Sequence, residues 1–181
     1  EELAFKKDIK KAGEEALRYI QEHGKKAIIL AGRPYHLDKE INHGINKMIT
    51  SLDMAVLSED SVCHLSDLAR PVRVLDQWTY HSRLYKAADF AGTRDDIEMV
   101  QLNSFGCGVD AVTTDQAEEI LEHNNKLYTV LKIDEGTNMG AAKIRLRSLK
   151  AAMDEREKNG VKPVHDPKPF KRRVFTKKMR D

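Results

Sequence analysis

The sequence contains little cysteine. There are two in 181 residues, Cys63 and Cys107, far apart and in no CxxC pair. This spacing excludes a disulfide-stapled secreted domain and predicts a cytoplasmic protein. A zinc site would lack the usual close pairs of ligands. An iron–sulfur cluster takes about four ligands, mostly thiolates, so two cysteines cannot complete one.

Long apolar runs and aromatic residues are also scarce. No run approaches the roughly 20 residues that span a membrane, and the polar start Glu1-Glu2-Leu3 is not a signal peptide. Aromatic residues make up 6 % of the chain and are not spaced for base stacking. We therefore expect neither a membrane nor a nucleic acid as a partner.

The chain lacks an initiating methionine and has unevenly distributed charge. Its net charge is +2, but residues 160–181 carry eight Lys or Arg against two Asp. Three prolines in the same stretch favour an extended conformation. We interpret the sequence as a segment of a longer protein, with an α/β domain over 1–159 and a basic, proline-containing linker or tail over 160–181.

What the sequence does contain is four short apolar runs that alternate with helical patterns. The runs are Lys26–Ala31, Met54–Leu57, Ile97–Leu102 and Leu127–Ile133. Alternating strands and helices predict a parallel sheet with right-handed crossovers. The predicted fold is a three-layer, Rossmann-like or flavodoxin-like α/β domain with strand order 2-1-3-4.

The helices are predicted from apolar residues three to four positions apart. Their predicted ranges are 1–22, from a cap at Asp38 or Asn42 to about 52, 76–91, from 109 or 110 to 123, and 139 to about 158. Two of them carry specific expectations. The first should bury a stripe from Phe5 to Ile20, and the last should turn Ile144 toward the core together with Leu146, Leu149 and Met153.

The loops that follow the four strands should meet at the carboxyl edge of the sheet, where α/β folds bind ligands. These loops concentrate glycine, histidine and carboxylates, although loops are polar in any case. The predicted cavity-lining residues are Gly32, Arg33, His36, His43, Glu59, Asn103, Ser104, Gly106, Gly108, Asp110, Asp134 and Glu135.

The most distinctive loop contains Cys107 between Gly106 and Gly108, directly before a predicted helix. A helix N-terminus favours the thiolate, the form that attacks electrophiles or binds metal. The alternatives are a packed structural cysteine, a metal ligand, and a nucleophile paired with a histidine. The candidate partners for such a pair are His36, His43, His64 and His81.

The other loop residues each have an ordinary interpretation beside the functional one. Arg33 could hold an anion or lie on the surface, and His36 and His43 are more often loop or cap histidines than ligands. The Trp78/Tyr80/His81/Tyr85 face is predicted to pack against a neighbouring domain. Asp134 and Glu135 favour a helix-capping cluster over an acid–base pair.

Taken together, these loops resemble one protein family. The segments that carry the resemblance are IILAGRPYHLDKEINHGI, VLSEDSV, QWTYHSRLYKAADF, QLNSFGCGVDAVTTDQ and KIDEGTNMGAAKIRLRSL, spread over roughly residues 20–155. They are similar to the large acyl-CoA dehydratase activase-related proteins, a group related to 2-hydroxyacyl-CoA dehydratases and double-cubane-cluster proteins.

The resemblance implies an iron–sulfur, ATP-dependent system in which Cys107 is one cluster ligand and the others come from elsewhere in a longer chain. It also implies other domains of that chain as partners and an acyl-CoA or another small molecule as substrate. The segment has no ATPase phosphate motif. We therefore expect it not to hydrolyse ATP and to be inactive alone. Because it has only two cysteines, we also expect it to hold no iron–sulfur cluster by itself. A non-catalytic docking domain and a stand-alone thiol enzyme are the alternatives.

Overall fold

A computed structural model describes residues 1–68, 72, 76–104, 108–133 and 139–165. Its centre is one sheet of four parallel strands in the order β2-β1-β3-β4. This confirms the predicted α/β class and strand order. The strands are β1 (Lys26–Ala31), β2 (Met54–Ser58), β3 (Ile97–Ser104) and β4 (Tyr128–Ile133).

Six α-helices and two short 3-10 turns flank the sheet in the described part of the chain. The helices are α1 (Glu2–Glu22), α2 (Ile45–Thr50), α3 (Glu59–Val62), α4 (Thr79–Gly92), α5 (Gly108–His123) and α6 (Met139–Lys158). The 3-10 turns, Pro34–Leu37 and Cys63–Leu65, follow β1 and α3. None of the described helices is both long enough and apolar enough to cross a membrane.

The two faces of the sheet bury separate hydrophobic cores. Ala27, Ile29 and Ala31 of β1 face a core built with α1, α4 and α5. Ile28 and Leu30 face the opposite core, which α2 and α6 complete. Because side chains alternate along a strand, β1 is apolar at every position from Ala27 to Ala31, as expected for a central parallel strand.

The strand register brings the loops together at one edge. Leu30 of β1 lies opposite Ser58 of β2, and Ala31 lies opposite Gln101 of β3. Strand β3 continues for three residues beyond that point, to Ser104. The residues that follow β1 therefore lie beside the end of β3, as the sequence predicts for a carboxyl-edge site.

Several helices differ from the pattern-based expectation. The helix predicted from about residue 42 begins only at Ile45, because His43 and Gly44 have positive φ angles of 49° and 78° and cannot belong to it. Phe5 is 66 % exposed and Ile144 is 68 % exposed, so both predictions of burial are wrong. Periodicity identified these helices but did not show how much of each face the sheet covers.

The amino edge of the sheet contains a buried ion pair. Lys126 Nζ lies 3.1 Å from Glu98 Oε1, and both side chains are almost fully buried. Burial raises the pKa of Glu98 and lowers that of Lys126, while Lys126 also donates to the carbonyl oxygen of Arg94. Residues 160–165 pass along this edge, where the backbone N–H of Val164 donates to the carbonyl oxygen of Asn124.

A close helix contact leads to a stability prediction. A Cβ atom at the buried Gly13 of α1 would collide with the backbone oxygen of Ser61 in α3. We expect Gly13→Ala to lower the free energy of unfolding by about 1–2 kcal/mol. Because the Cβ atom would lie far inside the contact distance of a backbone atom, the overpacking cost falls in the upper part of its usual range, about 2–3 kcal/mol, and exceeds the roughly 1 kcal/mol that alanine gains in a helix.

Urea denaturation would measure this effect. The exposed position Glu15 of the same helix provides the control, because Glu15→Ala should change stability by less than about 0.5 kcal/mol. A Gly13→Ala variant as stable as the parent would contradict the α1–α3 packing.

Candidate functional site

An ion pair joins the loop after β1 to the first turn of α5. The Arg33 guanidinium donates through Nε and Nη2 to one oxygen of Asp110, Oδ1, at 3.2 and 2.9 Å. The Asp110 side chain is only 9 % exposed, and that of Arg33 is 26 % exposed. The hydrogen bonds to Asp110 raise the pKa of Arg33, so the guanidinium keeps its positive charge.

His36 and Ser104 link the same loop to the end of β3. The backbone N–H of Arg33 donates to His36 Nδ1 at 3.0 Å, which places the ring proton on Nε2. His36 Nε2 then donates to Ser104 Oγ at 2.7 Å. Burial lowers the pKa of His36, which keeps this ring neutral.

Gly32 makes this arrangement sterically possible. A Cβ atom at Gly32 would lie 2.5 Å from His36 Nδ1 and 2.9 Å from the carbonyl oxygen of Leu102. Only a residue without a side chain permits this approach. Gly32 is therefore a structural requirement of the site.

His81, in the first turn of α4, lies beside the Arg33–Asp110 ion pair. It is 3 % exposed, and its ring is tilted against those of Tyr80 and Trp78 at centroid distances of 3.9 and 5.0 Å. Burial lowers the pKa of His81, and the charges of Asp110 and Arg33 act on it in opposite directions. Tyr80 also lies under the Arg33 guanidinium, 5.7 Å from the ring centroid.

Three buried polar atoms of this region have no hydrogen-bond partner among the described residues. They are both ring nitrogens of His81 and Oδ2 of Asp110. Leaving a buried polar atom unpaired costs about 1–3 kcal/mol, so native structures rarely do so without a functional reason or an internal water. We call Arg33, His36, His81, Ser104 and Asp110 the carboxyl-edge cluster.

Glu59 lies at the end of β2 and forms a second buried contact with α4. Its side chain is 1 % exposed, and Arg83 Nη2 lies 3.3 Å from Glu59 Oε1. Burial raises the pKa of Glu59 to about 7, with the negative charge of Asp60 adding to the effect. The first two turns of α4 therefore contact residues that closely follow β1 and β2, Arg33 and Glu59.

The remaining predicted site residues have different positions. Asn103 points toward α5, where its amide donates to Thr114 Oγ1 at 2.9 Å, and this contact fixes the helix to β3. His43 is exposed in a turn with positive φ, and Gly108 is the first residue of α5. The predicted residues Gly106, Cys107, Asp134 and Glu135 lie outside the described residues.

The described donors do not by themselves fit an iron–sulfur cluster. Within the described ranges, no three His, Cys, Asp or Glu side chains are arranged to hold a metal ion. The described cysteine, Cys63, is half-buried in the turn after α3, and burial raises its pKa. A thiol of this kind is a poor metal ligand, because ligation requires the thiolate.

Sequence reasoning named His81 as a possible histidine partner of Cys107, but it did not include His81, Tyr80 or Arg83 among the cavity-lining residues. The pattern of α4 showed an aromatic face and suggested packing against another domain. Parallel topology predicts which loops meet, but it does not predict that the start of a crossover helix reaches over the same edge. The concentration of aromatic, histidine and arginine residues in one short helix was the available signal.

Comparison with known families gives one finding. Residues 1–62 match the family described as CoA enzyme activase uncharacterised domain. This match covers α1, β1, α2, β2 and α3, and it supports a relationship to CoA-enzyme activase proteins. No curated protein and no solved structure matches the chain.

The buried Glu59 leads to a prediction of pH dependence. Its folded-state pKa, about 7, lies above the ordinary value of 4.5. The folded state therefore keeps a proton that the unfolded state loses between these pH values, and stability falls as pH rises through this window. The Glu59 contribution amounts to at most roughly 3 kcal/mol.

We expect Glu59→Gln to remove this contribution. The free energy of unfolding of the variant minus that of the parent should increase from pH 4.5 to 7 and remain constant above about pH 8. Urea unfolding at a series of pH values would measure it, with Glu22→Gln at the exposed end of α1 as control. A difference that does not vary with pH would contradict the buried position of Glu59.

Proposed function

We propose that this chain is a Rossmann-like domain of an iron–sulfur, ATP-dependent protein related to the activases of 2-hydroxyacyl-CoA dehydratases. In this proposal the carboxyl edge forms one wall of a cavity, and Cys107 contributes one cluster ligand. The remaining ligands come from other domains. The substrate is an acyl-CoA or another small molecule, and the protein is cytoplasmic.

Two findings support the proposal. The amino-terminal 62 residues match an activase-related family, and the chain contains the loop segments similar to that group. The observation that carries the proposal is the carboxyl-edge cluster itself. It brings Arg33, Asp110 and His81 to the edge where β3 ends and α5 begins, and Cys107 lies between these two elements in the sequence.

The described residues supply position and environment for this site. The two hydrogen bonds from Arg33 to Asp110 fix the first turn of α5 against the loop after β1. His36 fixes the same loop to Ser104, the last residue of β3. A cluster, when bound, would supply low-potential electron transfer.

A docking role for the domain is the second candidate, and one observation favours it. Trp78 is 58 % exposed at the start of α4, although it packs against the buried His81. Large aromatic side chains in such positions commonly contact a partner. In this case the neighbouring domains would cover Trp78, and Cys107 would bind no metal.

Iron content tests the proposal. The full-length protein that contains this chain would be purified anaerobically, and iron and absorbance near ~400 nm would be measured for the parent, Cys107→Ala and Cys63→Ala. We expect Cys107→Ala to lose iron and absorbance because it removes a thiolate ligand. Cys63→Ala is the matched control and should retain both, since burial disfavours its thiolate.

Unchanged iron in Cys107→Ala, with a folded protein, would remove the ligand role. If Trp78→Ala then separates this domain from its neighbours in limited proteolysis while iron is unchanged, the docking role gains support. If rapid alkylation of Cys107 follows a histidine-dependent pH profile, the result favours thiol chemistry.

A further inference from the structure

The carboxyl-edge cluster contains hydrogen-bonding capacity that the described chain leaves unused. Asp110 directs Oδ1 to Arg33, whereas its second oxygen, Oδ2, is buried and unpaired. Both ring nitrogens of His81 are likewise buried and have no described partner. His81 is 3 % exposed and Asp110 is 6 % exposed, so bulk water does not satisfy them.

The charges in the cluster determine what kind of group could use this capacity. Arg33 already has a counter-charge, because the Asp110 carboxylate accepts two hydrogen bonds from its guanidinium. An incoming anion would lie close to this carboxylate and would be repelled by it. His81 adds no positive charge, since burial favours its neutral form.

The unpaired atoms therefore offer a definite set of hydrogen-bond donors and acceptors. Oδ2 of Asp110 can only accept a hydrogen bond, and a neutral imidazole offers one donor and one acceptor. A hydroxyl or a carboxamide matches this pattern, because each contains both a donor and an acceptor. A carboxylate does not, since it brings no proton to Asp110. A phosphate can bring a P–OH, but it also brings negative charge next to the Asp110 carboxylate.

We propose that Asp110 and His81 bind an uncharged hydroxyl or amide group of a ligand and exclude anions from this part of the site. The inference deepens the proposed function, since it concerns the same edge of the sheet. It does not depend on a bound iron–sulfur cluster. It also assigns Arg33 a positioning role instead of the anion-binding role that its place in the loop suggested.

A ligand must first reach the unpaired atoms of Asp110 and His81. Both sets of atoms are covered, so a ligand must displace a neighbouring group. Trp78 contacts the His81 ring and is 58 % exposed. Trp78 is therefore the neighbouring group that a ligand would displace to reach His81.

Binding of small probes to the full 181-residue chain tests the proposal. Histidine side chains would be labelled with ¹³C and ¹⁵N, and the His81 ring signals identified by their absence in His81→Phe. The neutral probes are glycolamide and ethylene glycol, and the anionic probes are acetate and inorganic phosphate. At pH 7.5 we expect the neutral probes to shift the His81 signals and the anions to leave them unchanged.

An Asp110→Asn variant should reverse this preference. The substitution removes the negative charge beside Arg33 and replaces one acceptor with a donor. We expect glycolamide binding to weaken about tenfold, as for the loss of one hydrogen bond to a charged group, and acetate to bind. Asp115→Asn, at an exposed position of the same helix, should behave like the parent.

Two results would overturn the proposal. One is acetate or phosphate shifting the His81 signals in the parent as strongly as glycolamide. The other is no response of the His81 signals to any neutral probe in a folded chain. This result would mean that an internal water satisfies the unpaired atoms of Asp110 and His81. Iron measured separately in the full-length protein tests the proposed function, so failure of one test leaves the other intact.

Discussion

The Arg33–Asp110 ion pair is the interaction on which the arrangement of the carboxyl edge depends. It connects the loop after β1 to the first turn of α5, 77 residues further along the chain. Each of these two segments has a further hydrogen bond to β3, through His36 on one side and Thr114 on the other. Because the pair is largely buried, removing one partner would leave the other charge uncompensated, and such a change is far more costly than the loss of a surface contact.

Helix α4 gives this edge its chemical character. Its first turns place His81 beside the ion pair and Arg83 beside the buried Glu59. The aromatic rings of Tyr80 and Trp78 cover the histidine and lower the local polarity. The same helix therefore positions polar groups and removes water from them, two conditions that ligand-binding sites in α/β folds commonly meet.

The sequence was informative where one physical rule decides the outcome. Four apolar runs separated by helical patterns predict a parallel sheet, and the strand order followed from the commonest arrangement of such units. Burial was less predictable: Ile144 continued an apolar period but is exposed, since the sheet covers only part of α6. The pairing of Arg33 with Asp110 could not be predicted either, because the sequence placed both residues at the same edge of the sheet and only the three-dimensional structure shows which side chains meet there. The predicted role of Cys107 stays a prediction, since that residue lies outside the described ranges.

The coupling energy between Arg33 and Asp110 tests this account most directly. A double-mutant cycle would compare the free energies of unfolding of the parent, Arg33→Gln, Asp110→Asn and the double variant. The account predicts a coupling of about 1.5–2 kcal/mol, as for partners that share buried hydrogen bonds. The exposed Glu2–Lys6 pair of α1 should show no more than about 0.5 kcal/mol in the same measurement. A coupling between Arg33 and Asp110 as small as that of this surface pair would contradict the central claim.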